Sequence, residues 1–216
     1  TPHGPVAAVC VWPRFIETAR AALGASPVRI ATVVNFPVGG EQVAAVTAET
    51  RAALTAGADE IDLVLPYRAF AEGRADAAAR MVAAVRDACG AATLKVILET
   101  GMLQEPALIR RAADLAIIEG ADFVKTSTGK VQVGATPGAA VAMLAAIRAS
   151  GRPAGLKPSG GVRTLADART YLELADAAMG EGWARPETFR LGASSLLGAL
   201  LTTLDRGASP AAADGC

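Results

Sequence analysis

Short apolar runs recur about every 30 residues along the chain, the length of one strand plus one helix, and no other feature limits the fold as much. Seven of them read as strands: "AAVCVW" (7–12), "RIATVVNF" (29–36), "EIDLVL" (60–65), "LKVILET" (94–100), "FVKTST" (123–128), "AGLKPS" (154–159) and "FRLGA" (189–193). The stretches between them carry helix ends. Gly57, Gly90 and Gly120 each close an amphipathic segment, as glycine does where a helix stops in left-handed geometry. Thr136 followed by Pro137 opens another helix, and Thr164 with Asp167 three residues on forms the signature of a capping box. "AGADEIDLVLP" and "EGADFVKTST" echo one another: helix end, Gly-Ala-Asp, then strand. Strands alternating with helices predict a mainly parallel α/β sheet, and no break in composition divides the chain.

An open doubly wound sheet and a (β/α)8 barrel both fit that spacing. Parity along the strands favours the barrel. Ile61, Leu63 and Leu65 alternate with Glu60 and Asp62, while Leu94, Val96 and Leu98 alternate with Lys95 and Glu99. A sheet covered by helices on both sides would be apolar on both. One polar face is what a barrel interior near its functional mouth requires. Seven runs are one short of eight, and the chain enters its first strand almost at once. The expected fold is therefore a TIM-type barrel, a single domain over 1–216, whose first strand and preceding helix are missing ahead of Thr1, with 207–216 as a flexible tail.

Composition removes several classes of function. With 21 basic and 21 acidic residues and 4% aromatics, the chain has neither a basic stripe nor stacking side chains for nucleic acid. No apolar run approaches the roughly 20 residues that span a bilayer, and none at the start resembles a signal peptide. The expectation is a soluble, cytoplasmic protein. Cys10, Cys89 and Cys216 are too few and scattered for a disulfide framework. His3 is the sole histidine, which argues against a histidine-based zinc site or a Ser-His relay.

The cations carry the chemistry. Of 21, seventeen are arginine and four are lysine, and those four, Lys95, Lys125, Lys130 and Lys157, sit on or at the end of strands. In a chain that uses arginine almost everywhere else, lysine marks positions where a proton must be able to leave. A free amine at neutral pH requires moving a lysine from about 10.4 to about 7, roughly 4 to 5 kcal/mol. Burial and a neighbouring cation supply that shift. Lys125 and Lys157 lie near the carboxyl ends of consecutive strands, where barrel active sites form. Against this stands a purely structural pairing of each lysine with a carboxylate such as Asp62 or Glu99. Glycine and hydroxyl clusters, "STGK" (127–130), "PSGGVRT" (158–164) and "GASS" (192–195), suggest a phosphate grip, because glycine lets backbone amides approach oxygen and helix amino termini add donors.

"FVKTSTGK", "GLKPSGGVRT", "GADEIDLVLPYRA", "LKVILETG", "VCVWPRFI" and "GASSLL" resemble the deoxyribose-phosphate aldolases of the DeoC class over nearly the whole chain, from Ala8 to Leu197. The resemblance implies a class I aldolase barrel that reversibly cleaves 2-deoxy-D-ribose 5-phosphate to D-glyceraldehyde 3-phosphate and acetaldehyde, with no metal or other cofactor. It implies Lys125 as the Schiff-base lysine, Lys157 as the cation that lowers its pKa, and Asp62 as partner in a proton relay. Gly129, Lys130, Gly160, Gly161, Val162, Arg163, Gly192, Ser194 and Ser195 would hold the phosphate, with Cys10, Lys95 and Thr128 as neighbours of the site. Its partners would be a small sugar phosphate and an aldehyde, with homodimer formation as the family habit. Two departures stand out: Trp12 occupies the place of a tyrosine, and the chain ends "PAAADGC" where relatives often carry a terminal tyrosine. A transaldolase-like Schiff-base barrel and a non-catalytic sugar-phosphate-binding module remain as alternative readings.

Overall fold

The 30-residue alternation folds into a single curved sheet wrapped by helices on its outer face. The computed structural model describes residues 1–207, so the tail expected at 207–216 lies outside the described residues beyond its first position. Six strands, β1 (Ala8–Val11), β2 (Arg29–Val34), β3 (Glu60–Val64), β4 (Thr93–Ile97), β5 (Phe123–Lys125) and β6 (Gly155–Lys157), pair in parallel and in chain order. The helices are α1 (Ile16–Leu23), α2 (Val43–Thr55), α3 (Tyr67–Ala71), α4 (Ala75–Cys89), α5 (Thr100–Leu103), α6 (Pro106–Ile118), α7 (Pro137–Ser150), α8 (Leu165–Met179) and α9 (Ser195–Gly207). α2, α4, α6, α7 and α8 pack in sequence against one another. Ile61, Leu63, Leu94 and Val96 are fully buried in this outer layer with Met81, Ile117 and Met143. Each such side chain contributes about 1.5 to 3 kcal/mol, which is what holds the sheet while its inner face stays polar.

The seventh expected strand, 189–193, is a correction. It runs beside β6 but meets it only in isolated parallel bridges, Leu156 with Phe189 and Ser159 with Gly192. The Arg190 amide donates to the Leu156 carbonyl at 3.0 Å and the Gly192 amide to the Pro158 carbonyl at 2.8 Å. Pro158 has no N–H to return a bond, so the ladder breaks there and β6 stops at Lys157 rather than at residue 159. β2 likewise stops at Val34 because Asn35 turns to φ 57°, and β4 stops at Ile97, two residues short of Glu99 at φ 54°. The arc is therefore open between β1 and the 189–193 segment. The stave expected ahead of Thr1 concerns chain outside these residues.

The Gly-Ala-Asp echo has a structural cause. Asp59 Oδ2 accepts from Arg20 Nη2 at 2.7 Å and from the Ile30 amide at 2.7 Å. Asp122 Oδ2 accepts in the same way from Arg86 Nη1 at 2.9 Å and the Leu94 amide at 2.8 Å. Each aspartate thus clamps the start of the preceding strand to an arginine of an outer helix. Both clamps lie at the amino-terminal end of the sheet, the end that serves stability in this architecture. The capping box at the start of α8 also forms: the Asp167 amide donates to Thr164 Oγ1, and Asp167 Oδ2 accepts from the Thr164 amide.

Candidate active site

The polar residues picked out by parity all turn inward. Asp62 on β3 is the register partner of Lys95 on β4, and Lys125 on β5 is the partner of Lys157 on β6. Curvature of the sheet brings the two pairs together. Asp62 Oδ2 accepts from Lys125 Nζ at 2.7 Å and from Lys157 Nζ at 2.8 Å, while Asp62 Oδ1 accepts from Lys95 Nζ at 2.9 Å. Lys95 Nζ also stands 2.5 Å from Glu60 Oε2. Glu60, Asp62 and Lys95 are fully buried, and Lys125 and Lys157 are nearly so.

Burial opposes charge on every one of these groups, and the neighbours decide the outcome. For Asp62, desolvation would raise the carboxyl, yet the three ammoniums, Lys125 first, hold it well below the ordinary carboxylate range. For Lys157, burial comes first, and the ammoniums of Lys125 and Lys95 act in the same direction; Asp62 opposes them but does not prevail. The Lys157 ammonium is pushed down to about 8. Lys95 is driven the other way: burial works against its charge, but Asp62 and Glu60 raise it above an ordinary lysine. One cluster therefore contains a lysine that holds its proton and another that releases it readily.

The lysines open into a cavity of about 970 Å³ whose lining includes Lys125, Lys157, Thr128, Cys10 and Glu60. Glycine makes the far wall possible. Gly160 sits at φ 84°, and a Cβ on neighbouring Gly134 would lie 2.3 Å from the Gly160 carbonyl oxygen, so the loop that follows "STGK" stacks backbone on backbone against "PSGG". A Cβ on Gly192 would fall 2.6 Å from Ser159 Cβ, so only glycine brings this segment against the Lys157 strand. Gly129, Gly160, Gly161, Val162, Arg163, Gly192, Ser194 and Ser195 all line the cavity. The Arg163 and Thr164 amides are already taken by Asp167. That leaves the Gly160–Val162 backbone, the Arg163 side chain and the start of α9 to face an incoming anion.

One expected residue is placed otherwise. Lys130 is exposed and absent from the cavity lining; its ammonium lies 5.9 Å from the centroid of the Trp12 ring. Cys10 does face the cavity, as expected of a neighbour of the site, and it is exposed there. Three further residues shape the site without having been named among its candidates. Glu99, fully buried and in left-handed geometry, accepts from Thr128 Oγ1 at 2.5 Å and from the Thr128 amide at 3.2 Å, and so fixes the loop that bears Gly129. Glu60 supports Lys95, and Arg190 Nη2 reaches Glu60 Oε1 at 3.5 Å. The parity that singled out Asp62 applies equally to Glu60 and Glu99; Arg190 has no comparable signal.

Known proteins similar to this chain are aldolases. The profile of the DeoC/LacD family aldolases matches residues 3–201. A deoxyribose-phosphate aldolase of Agrobacterium fabrum is 57% identical over 217 residues, which is 100% of this chain and 84% of the relative. Among solved structures, a candidate deoxyribose-phosphate aldolase from Toxoplasma gondii superposes with a TM-score of 0.86 at 31% identity, over 93% of this chain and 82% of that one. A deoxyribose phosphate aldolase from Aeropyrum pernix, described as a tetramer, gives 0.72 at 26% identity, over 91% and 77% of the two chains.

Proposed function

The chain belongs to the DeoC/LacD family of aldolases, and on that premise we propose that it cleaves 2-deoxy-D-ribose 5-phosphate reversibly to D-glyceraldehyde 3-phosphate and acetaldehyde, with Lys125 as the Schiff-base residue. The observation that carries the reading is that Lys125 and Lys157 share one oxygen of a buried aspartate at the floor of a glycine-walled cavity. Two ammoniums on one carboxylate oxygen repel each other, so a proton leaves the pair easily and one amine is left beside a remaining ammonium.

Lys125 attacks the aldehyde carbon of the open-chain sugar, and loss of water gives an iminium. Its positive charge draws electrons from the bond between C2 and C3. Asp62 and Lys157, hydrogen-bonded to one another, take up the proton of the C3 hydroxyl as that bond breaks, a general base task for which Lys157, pushed down to about 8, lies close to neutral pH. Glyceraldehyde 3-phosphate departs, the remaining enamine is protonated at C2, and hydrolysis of the iminium returns Lys125 and acetaldehyde. The phosphate rests against the Gly160–Val162 backbone, Arg163, Gly192, Ser194 and Ser195. In this reading Gly129 and Thr128, held by Glu99, complete the wall, and Lys130 joins by swinging from Trp12.

The test is borohydride reduction in the presence of substrate, followed by peptide mass spectrometry: the expected result is a reduced two-carbon adduct on Lys125. An unmodified protein that still binds sugar phosphate would support a binding module instead. Release of acetaldehyde from deoxyribose 5-phosphate, set against cleavage of ketose phosphates, separates this reading from a transaldolase-like one. The proposal includes a single-domain enzyme that forms homodimers in the cytoplasm. The tetrameric relative from Aeropyrum pernix supports self-association in general, and light scattering of the purified protein gives the number. No helix among the described residues is long and apolar enough to cross a membrane.

A further inference from the structure

Glu60 lies two residues before Asp62 on β3, fully buried at the edge of the cavity, and its ion pairs are with Lys95, Arg190 and Arg29 rather than with the Lys125 and Lys157 amines. Its Oε2 stands 2.5 Å from Lys95 Nζ yet receives no properly directed hydrogen bond, so what it gives Lys95 is chiefly charge. Its Oε1 faces Arg190 Nη2 at 3.5 Å and Arg29 Nε at 4.0 Å. Lys95 in turn holds Asp62 Oδ1, which leaves Oδ2 to Lys125 and Lys157. This ion-pair cluster thus sets three lysines against two carboxylates. If Glu60 were neutral, all three lysines would depend on Asp62 alone, and Lys95 would compete with the other two for it.

We infer that Glu60 is a positioning residue for the proposed aldol cleavage: its charge keeps Lys95 as a permanent anchor on one oxygen of Asp62 and so reserves the other oxygen for the Lys125 and Lys157 pair. The inference rests on the Schiff-base reading above. A role confined to folding would require only that Lys95 be neutralised, and would leave the pH dependence of turnover where it is once the variant had folded.

The test is the pH profile of kcat/KM for deoxyribose 5-phosphate cleavage in full-chain Glu60→Gln, with folding checked by circular dichroism. Loss of one negative charge disfavours the ammonium forms of the neighbouring lysines, so the acid limb moves to lower pH, by about one unit. The maximal kcat falls about tenfold as Lys95 pulls Asp62 from its place. The double variant Glu60→Gln/Lys95→Met restores the charge balance. Its acid limb returns to the wild-type position, while kcat stays low because Oδ1 has lost its donor. A folded Glu60→Gln protein whose profile superposes on that of the wild type overturns the inference. Should that variant not fold, the double variant decides alone: a displaced limb, or a wild-type kcat, overturns it. Failure of the underlying reading is recognised separately, by the absence of a borohydride adduct on Lys125 in the wild-type enzyme.

Discussion

Asp59 and Asp62 are three residues apart, one just ahead of β3 and the other at its middle, and each gathers cations. Asp59 meets one arginine and one backbone amide at the partly exposed rim of the sheet. Asp62, with no exposure at all, meets three lysines. Asp122 repeats the first arrangement with Arg86. Arginine keeps its proton under all ordinary conditions and offers a rigid fork, so it suits a clamp whose charge must stay. Lysine in a buried cluster can lose its proton, so it suits the place where a nucleophile must appear. The two ends of the sheet thus use the same carboxylate for opposite purposes, and the choice of cation tells them apart.

That contrast breaks most visibly at Lys125. Lys125→Arg keeps the charge and removes the amine; cleavage measured by acetaldehyde release should fall by at least about 10³-fold, while product inhibition by glyceraldehyde 3-phosphate stays within a few-fold of the wild type. Neutralising the shared carboxylate comes next. Asp62→Asn leaves buried ammoniums without their partner and should cost about 3 to 5 kcal/mol in urea unfolding at pH 7. The loss should shrink at pH 9.5, where Lys157, at about 8 even beside Asp62, has shed its proton.

A third test uses pH alone. The Lys157 ammonium is disfavoured in the folded state, where it titrates at about 8, whereas the unfolded chain holds that proton up to 10.5. Between those values the unfolded state binds more protons, so stability rises with pH. Relative to Lys157→Met, the wild type should gain about 2 kcal/mol across that window, measured by chemical denaturation at fixed pH steps. The smallest effect belongs to the clamp: Arg86→Ala should cost about 1 kcal/mol in urea unfolding and leave kcat/KM for cleavage unchanged. A clamp variant that altered catalysis would erase the distinction between the two ends.

Much of the site was legible because each signal was local. The scarcity of lysine against arginine picked out Lys95, Lys125 and Lys157, and period-two alternation put Asp62 on the inner face. The glycine clusters marked the loops that line the cavity, and Thr164 with Asp167 announced the start of α8. Other features depend on contacts between distant segments. Glu99 gives no hint in "LKVILETG" that it turns left-handed and holds Thr128 across the sheet. Lys130 reads as a phosphate ligand from its loop, yet its ammonium rests over Trp12, which is far away in the chain. The 189–193 segment reads as a strand from its own residues, and the proline that interrupts its ladder belongs to a neighbour.

Residue type and spacing alone determined the alternation of strand and helix, the polar inner face and the chemistry available to it, because propensity, parity and side-chain reactivity are properties of a short stretch of chain. Only the tertiary structure decided that three lysines converge on one aspartate, how its two oxygens are divided among them, and which of them loses its proton most readily. Those outcomes depend on the curvature of the sheet and on charges a few ångströms apart that come from four different strands, and no single stretch of sequence encodes either one.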